Sequence, residues 1–227
     1  MKNLSIDNRT SRSYLFDNDS LPNLISRKDI ELKCIDSSNT DLLRKAFELA
    51  FLVYVTEKEY VSPNQLTQDQ MENRAYYDIF DLSPTTKHII ALREGKVIGR
   101  TRYTDGVCPV SMHYDLSNYL LYGPIREISR IITHPDERKS LDLLLNLCNY
   151  AYNASKHLGQ FFCTSFDDGA NFYKGLGADE IGTFENPEYP LSPTSHVFRW
   201  DVESLEDSYN IKPFVKKRFV SEMIKPL

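Results

Sequence analysis

Apolar and polar positions divide this chain into a regular series of strand-like and helix-like stretches. "IELKCI" at 30–35 alternates with period two and predicts a strand. In the next stretch Leu42, Leu43, Ala46, Leu49, Ala50 and Val53 recur at helical spacing, with Thr40 or Asp41 as the cap. Residues 62–77 are polar, and "SPNQ" marks a break. "KHIIALREGKVIGRTRYTD" at 87–105 holds two strand-like runs about Glu94-Gly95, which predicts a hairpin. In its second run Arg100 and Arg102 share one face, and Gly99, Thr101 and Tyr103 share the other.

Residues 105–123 read as loop, with Gly106, Pro109 and Gly123 as breakers. Residues 126–133 read as a strand stopped before Pro135. "SLDLLLNLCNYAYNASKHLG" predicts a long helix with Leu141, Leu144, Leu145, Cys148, Ala151 and Tyr152 on one apolar stripe. Ser140 caps it, Asp142 suits its first turn and Gly159 closes it. "QFFCTSF" predicts a strand and "DDGANFYKGLGA" a short helix; "IGTFE" and "HVFRWDV" predict two later strands. This alternation predicts a single α/β domain over residues 29–205, a mixed central sheet flanked by helices. Residues 1–28 lack periodicity and read as a loosely ordered arm, and 206–227 as a basic tail.

Composition narrows the function classes. The 227 residues carry 27 basic and 32 acidic side chains, a net charge of −5, which argues against nucleic-acid binding. Four dispersed cysteines and five scattered histidines make no metal-ligand pattern, so no metal site is expected. The longest apolar run, "LAFLVYV", is too short to cross a bilayer, and the first residues lack a signal peptide's apolar core. The expectation is a cytoplasmic protein with reduced thiols and no stable membrane insertion.

The chemistry-bearing stretch is "REISRIITHPDERKS" at 126–140, where two arginines and a glutamate share a strand with three isoleucines and a basic turn follows. The order of strand, long helix, hairpin, strand, basic turn, helix, strand and "ANFYKGLGA" resembles the GNAT acyltransferase superfamily. Within it, "EISR" at 127–130, with "VYVTE" at 53–57, "DIFD" at 78–81 and "VIGRTRYT" at 97–104 in matching order, resembles two related groups. These are the N-acylhomoserine lactone synthases and the bacterial long-chain N-acyl amino acid synthases. Leu141 and Leu143 stand where acetyl-CoA enzymes place turn glycines, which favours the carrier-dependent synthases over ordinary acetyl-CoA chemistry. The only tryptophan is Trp200, so the lactone synthases' early tryptophan has no counterpart.

The resemblance implies acyl transfer from a phosphopantetheine thioester, borne by acyl carrier protein or CoA, to the α-amine of an amino acid or similar small amine. The thioester is a co-substrate, and no tightly bound cofactor is implied. An α-amino group starts mostly protonated near neutral pH, so a carboxylate must remove its proton. The tetrahedral intermediate needs N–H donors, best supplied by a splayed or bulged strand. The candidate catalytic residues are Glu57, Glu127, Ser129 and Arg130. For Glu57, a surface glutamate in "TEKEY" is the plainer alternative. Glu127 and Arg130 would point to opposite faces of a regular strand, so either a bulge unites them or each works separately. Arg130 is expected to pair Asp78, Asp81 or Glu127.

Asp78, Asp81 and Arg102 are the acceptor-side candidates; solvated turn acids and an exposed hairpin charge are the alternatives. Ile131, Thr133, Arg138, Lys139 and Ser140 are the candidates for the phosphopantetheine arm, at a predicted helix start that suits a phosphate. Tyr173, where several superfamily members keep a leaving-group acid, is expected to serve as packing. Acyl carrier protein is the expected macromolecular partner.

Overall fold

The computed structural model describes residues 29–106, 108–138, 143–148, 151, 160–187, 189 and 194–201. The predicted arm, the tail, and Lys139, Ser140, Leu141, Asp142, Tyr152 and Gly159 lie outside the described residues. Seven strands form one mixed sheet: β1 (Glu31–Ile35), β2 (Lys87–Arg93), β3 (Lys96–Asp105), β4 (Arg126–Thr133), β5 (Gln160–Ser165), β6 (Asp179–Glu185) and β7 (Thr194–Asp201). Their spatial order is β1-β2-β3-β4-β5-β7-β6. Every pair is antiparallel except β4 with β5, which is parallel and registered only at Glu127 and Phe162.

Glu94 and Gly95 both adopt positive φ, 50° and 75°, which suits the primed turn of a two-residue β2–β3 hairpin. The predicted sharing of faces along β3 holds. Arg100 and Arg102 lie on the side covered by α1 (Thr40–Phe51), where Phe47 meets the Arg100 guanidinium at 5.3 Å. Leu43, Ala46 and Phe47 of α1 pack there against Ile35, Ile90 and Leu92. The other face, with Ile89, Ala91, Tyr103 and Ile128, is buried under α3 (helical residues 143–148) and α4 (Asp167–Gly175).

Several local expectations change. The α1 cap is Asn39, whose side-chain oxygen accepts from the Leu42 N–H at 3.3 Å, rather than Thr40 or Asp41. The α-helix then widens into a π-helical turn, Leu52–Glu57, in which the Lys58 N–H reaches back five residues to the Val53 carbonyl at 2.9 Å. The polar stretch 62–77 contains a short helix, α2 (Gln68–Glu72). A reciprocal capping box starts it, with Thr67 Oγ1 accepting the Gln70 N–H and Gln70 Oε1 accepting the Thr67 N–H. The predicted stripe of α3 omits Leu143 and Leu147, yet both are fully buried, because this helix is enclosed on more than one side.

The segment 108–125 lies over β5, β7 and β6 and buries Cys108, Val110, Leu116 and Ile125 against Phe162 and Val197. Tyr114 fastens it to the edge strand β6: its hydroxyl donates to the Ile181 carbonyl at 2.6 Å, and its ring lies on Gly182. A Cβ at Gly182 would sit 2.6 Å from Tyr114 Cε2, which the rigid ring cannot accommodate without moving. Gly182→Ala is therefore expected to destabilise the fold by about 1–3 kcal/mol, the usual cost of overpacking, read as a lower urea midpoint at unchanged slope.

Candidate active site

β4 carries the central irregularity. Arg102 of β3 pairs with Ser129 and Arg100 pairs with Ile132, so β4 holds one residue more than β3 between these points. Arg130 takes φ of 56°, a left-handed conformation uncommon outside glycine. The bulge turns Arg130 toward the face that already carries Glu127 and Ser129. Of the two alternatives the sequence leaves open, this is the uniting one.

Arg130 then enters a buried charge cluster. The loop between α2 and β2 supplies Asp78 and Asp81. Asp78 accepts Arg102 Nη1 at 2.7 and 2.8 Å and Arg130 Nη2 at 2.8 Å. Asp81 accepts Arg100 Nη2 at 2.6 Å and lies 3.3 Å from Arg102 Nη1. Arg100 and Arg102 are almost fully buried, so exposed hairpin charges are excluded. The loop is also tied to itself, since Asp78 Oδ1 accepts the N–H groups of Phe80 and Asp81 at 2.9 Å. Buried His88 places Nε2 3.0 Å from the Asp81 carbonyl. Burial and the nearby Arg100 charge push its imidazole down to about 4, so it is neutral near pH 7.

The carboxylates divide into two electrostatic classes. Burial opposes ionisation of Asp78 and Asp81, but the arginine charges outweigh it and hold both below the usual carboxylate range. Glu127 is as buried as Asp81 and has weaker support: a Val110 N–H at 2.8 Å, the Ser129 hydroxyl, and Arg102 Nη2 only at 4.0 Å. Burial wins there and raises its carboxyl above the usual range.

These groups line a cavity of about 530 Å³. It runs from Asp78, Arg102, Glu127 and Arg130 to the parting of β4 and β5, where Ile131, Thr133, Thr164 and Ser165 form the walls. Leu144 of α3 and Phe172 and Tyr173 of α4 close it on the far side. Tyr173 packs against Phe198 and Trp200, consistent with its expected packing role. Asp81 is behind the cavity wall, whereas Asp78 is in it. Arg138 lies at the rim in a two-pronged ion pair with Glu57. Glu57 itself is exposed and is not part of the cavity wall, so the site brings together Glu127, Ser129, Arg130, Asp78 and Arg102 but leaves Glu57 outside.

Sequence reasoning passed over three tyrosines. Tyr54, Tyr76 and Tyr189 surround the Arg130 guanidinium, with ring centres 5.2, 4.7 and 5.9 Å away. Tyr54 belongs to "VYVTE", which offered a signal; Tyr76 and Tyr189 belong to no motif.

A seven-stranded mixed sheet that parts between β4 and β5, with a bulged β4 and helices on both faces, is a GNAT-like α/β fold. No family model and no curated protein matches the sequence. Among solved structures the chain is similar to FeeM, an N-acyl amino acid synthase from uncultured soil microbes, with TM-score 0.56 and 11% identity, over 79% of this chain and 95% of that one. It is similar to BjaI, a CoA-dependent acyl-homoserine lactone synthase, with TM-score 0.57 and 17% identity, over 80% of this chain and 90% of that one. An acyl-CoA N-acyltransferase from Pseudomonas aeruginosa gives TM-score 0.54 and 18% identity, over 75% of this chain and 98% of that one.

The charge cluster predicts a pH response. Asp81→Asn leaves Arg100 and Arg102 with too little buried negative charge and should cost about 3–5 kcal/mol. Because the folded Asp81 carboxyl titrates below its unfolded value, its contribution is complete above about pH 4 and is lost as pH falls further. Acid titration of stability should therefore be shallower below pH 4 in Asp81→Asn than in the parent protein, measured by urea unfolding at each pH.

Proposed function

We propose that this protein is an N-acyltransferase that moves an acyl group from a phosphopantetheine thioester to the amine of an amino acid or similar small molecule. We further propose acyl carrier protein as the donor's carrier and a long acyl chain as its cargo. The observation that carries this reading is the meeting, in one cavity, of the parted β4–β5 pair with a buried Glu127 whose carboxyl is raised above the usual range by burial. The parting offers an extended slot for a pantetheine arm along Ile131 and Thr133. Arg138 at the rim is placed for the phosphate end, and Lys139 and Ser140 follow it in sequence.

The chemistry follows from the charges. The amine enters beside Asp78, and Glu127 takes its proton, either directly or through water. The amine nitrogen attacks the thioester carbonyl, and the carbonyl electrons move to oxygen. Backbone N–H groups at the β4 bulge are the proposed donors to that oxyanion. Collapse of the intermediate breaks the C–S bond, and sulfur leaves as thiolate; the second proton on nitrogen, lost as the amide forms, passes to that thiolate directly or through water. Ser129 and Arg102 position the site: Arg102 Nε donates to Ser129 Oγ at 3.1 Å while its Nη1 holds Asp78. Glu57 is assigned to the rim, where it holds Arg138, instead of to proton removal.

The apolar wall of Leu144, Phe166 and Phe172 favours a lipid chain, since each buried methylene contributes roughly 0.8 kcal/mol. The FeeM and lactone-synthase likenesses support the thioester-to-amine reaction class, with two possible acceptors.

Expression in a bacterial host followed by mass spectrometry of organic extracts tests the reading. An acyl-amino acid is the expected product. An acyl-lactone would reassign the acceptor, and CoA-dependent acetylation alone would reassign the donor. Glu127→Gln should lower kcat by about 10²–10⁴-fold, the range for loss of a general base. In the parent enzyme the acid limb of kcat/KM should lie above the normal carboxylate value of about 4.3, because the ionised form of Glu127 is the active one. A full-rate Glu127→Gln variant would remove this mechanism.

A further inference from the structure

Between β6 and β7, Asn186 and Tyr189 line the cavity. A turn in which the Tyr189 N–H donates to the Asn186 carbonyl at 3.1 Å sets the tyrosine in place. Its ring is nearly buried, packing edge-on to Phe166 at 4.9 Å and against Tyr54 at 6.2 Å, and it lines the cavity. Its oxygen receives two hydrogen bonds: Arg130 Nη1 donates at 2.6 Å and the Tyr76 hydroxyl donates at 3.3 Å. Tyr76 is in turn a weaker acceptor of Arg130 Nη2, at 3.4 Å. With both incoming bonds on oxygen, the phenol's hydrogen is left over, and it has no acceptor among the described residues.

We propose that Tyr189 is a catalytic hydrogen-bond donor, giving its phenol hydrogen to the oxyanion of the tetrahedral intermediate formed on the thioester carbonyl. This rests on the acyl-transfer reading and adds a side-chain donor to the backbone donors of the bulge. Three other tyrosines, Tyr54, Tyr60 and Tyr173, also line the cavity, and Tyr60 gives its hydrogen to Asp168 at 2.7 Å. Tyr189 differs because its oxygen accepts from a guanidinium. A cation-assisted bond into a hydroxyl oxygen polarises its O–H and strengthens the bond it gives onward. The same two bonds fix the direction of the remaining hydrogen, so the donor needs no reorganisation as charge develops.

No proton leaves Tyr189. Glu127 takes the ammonium proton, the C–N bond forms, and the carbonyl electron pair shifts to oxygen, where the phenol hydrogen stabilises it; the nitrogen's second proton goes to the departing thiolate. When the C–S bond breaks, that pair re-forms the carbonyl and the sulfur departs with its own pair. Burial raises the Tyr189 phenol well above its ordinary value, with the Arg130 charge partly opposing it, so the group stays protonated throughout the working pH range.

The test compares purified parent enzyme, Tyr189→Phe, Tyr76→Phe and a form carrying 3-fluorotyrosine at 189, all with an acyl-carrier-protein thioester and the amine identified from extracts. Tyr189→Phe should lower kcat by about 10²–10³-fold with donor KM within about twofold, the signature of one lost oxyanion donor. Tyr76→Phe, which leaves the Arg130 bond to Tyr189 in place, should lose less than about tenfold. The more acidic fluorinated phenol should raise kcat, whereas a purely structural tyrosine would be indifferent to its acidity. Full kcat in Tyr189→Phe, or a change confined to KM, overturns the assignment while leaving acyl transfer standing. Absence of any acyl-amine product from the parent enzyme overturns both.

Discussion

Three arginines and two aspartates buried together on one face of the sheet set the terms for everything around them. Removing ions from water costs several kcal/mol each unless geometry returns the loss. Here Asp78 and Asp81 each accept charged hydrogen bonds, and Arg102 joins the two pairs. Arg100 is less well served: its Nε and Nη1 have no hydrogen-bond acceptor among the described residues. The Phe47 ring takes up part of that charge instead. An apolar cluster of equal volume would fold as well. The retained charges instead give rigidity: they fix the 78–81 loop, the side chains of β3 and the bulge of β4 relative to one another.

The strained position lies at the centre of this network. A left-handed Arg130 costs on the order of 1–3 kcal/mol and persists only where its surroundings determine it. Asp78 and Tyr76 from one loop and Tyr189 from a distant part of the chain hold its guanidinium. The bulge places Arg130 with Glu127 and Ser129 in one cavity wall. It lies beside the region where β4 leaves β5 after the single Glu127–Phe162 register point. Conformational strain and strand separation thus create one cleft, and the charge cluster keeps it open on the acceptor side.

The elements that the sequence announces are those with local causes. Glu94-Gly95 specifies a tight hairpin through its positive φ, and period-two alternation at 30–35 announced β1. The α2 helix had an equally local signal in the Thr67–Gln70 capping box, and its polar surroundings hid it. The fate of Arg100 and Arg102 had no such signal. Two arginines two residues apart on a hairpin read equally well as solvated or buried, and Asp81 and Asp78, which decide the matter, lie 19 and 24 residues away. Tyr189 is further still, 59 residues from Arg130. Glu57 errs in the other direction: "VYVTE" points to it, but the π-helical turn brings it to the rim, against Arg138.

The division of labour among the acids follows from the number and distance of their donors. Asp78 has two guanidiniums in direct contact, and their charges hold its carboxyl below the usual range against burial. Glu127 is on the same face with one backbone N–H, the Ser129 hydroxyl and a guanidinium at 4.0 Å, and burial moves its carboxyl upward. Two acids whose surroundings drive their affinities for protons apart are the arrangement from which acid–base roles can be assigned. Moving Arg102 toward Glu127 would erase the difference, and Ser129 opposes that movement by accepting Arg102 Nε. The Ser129 hydroxyl thus sits between the two acids' surroundings: it accepts Arg102 Nε and also meets the Glu127 carboxylate.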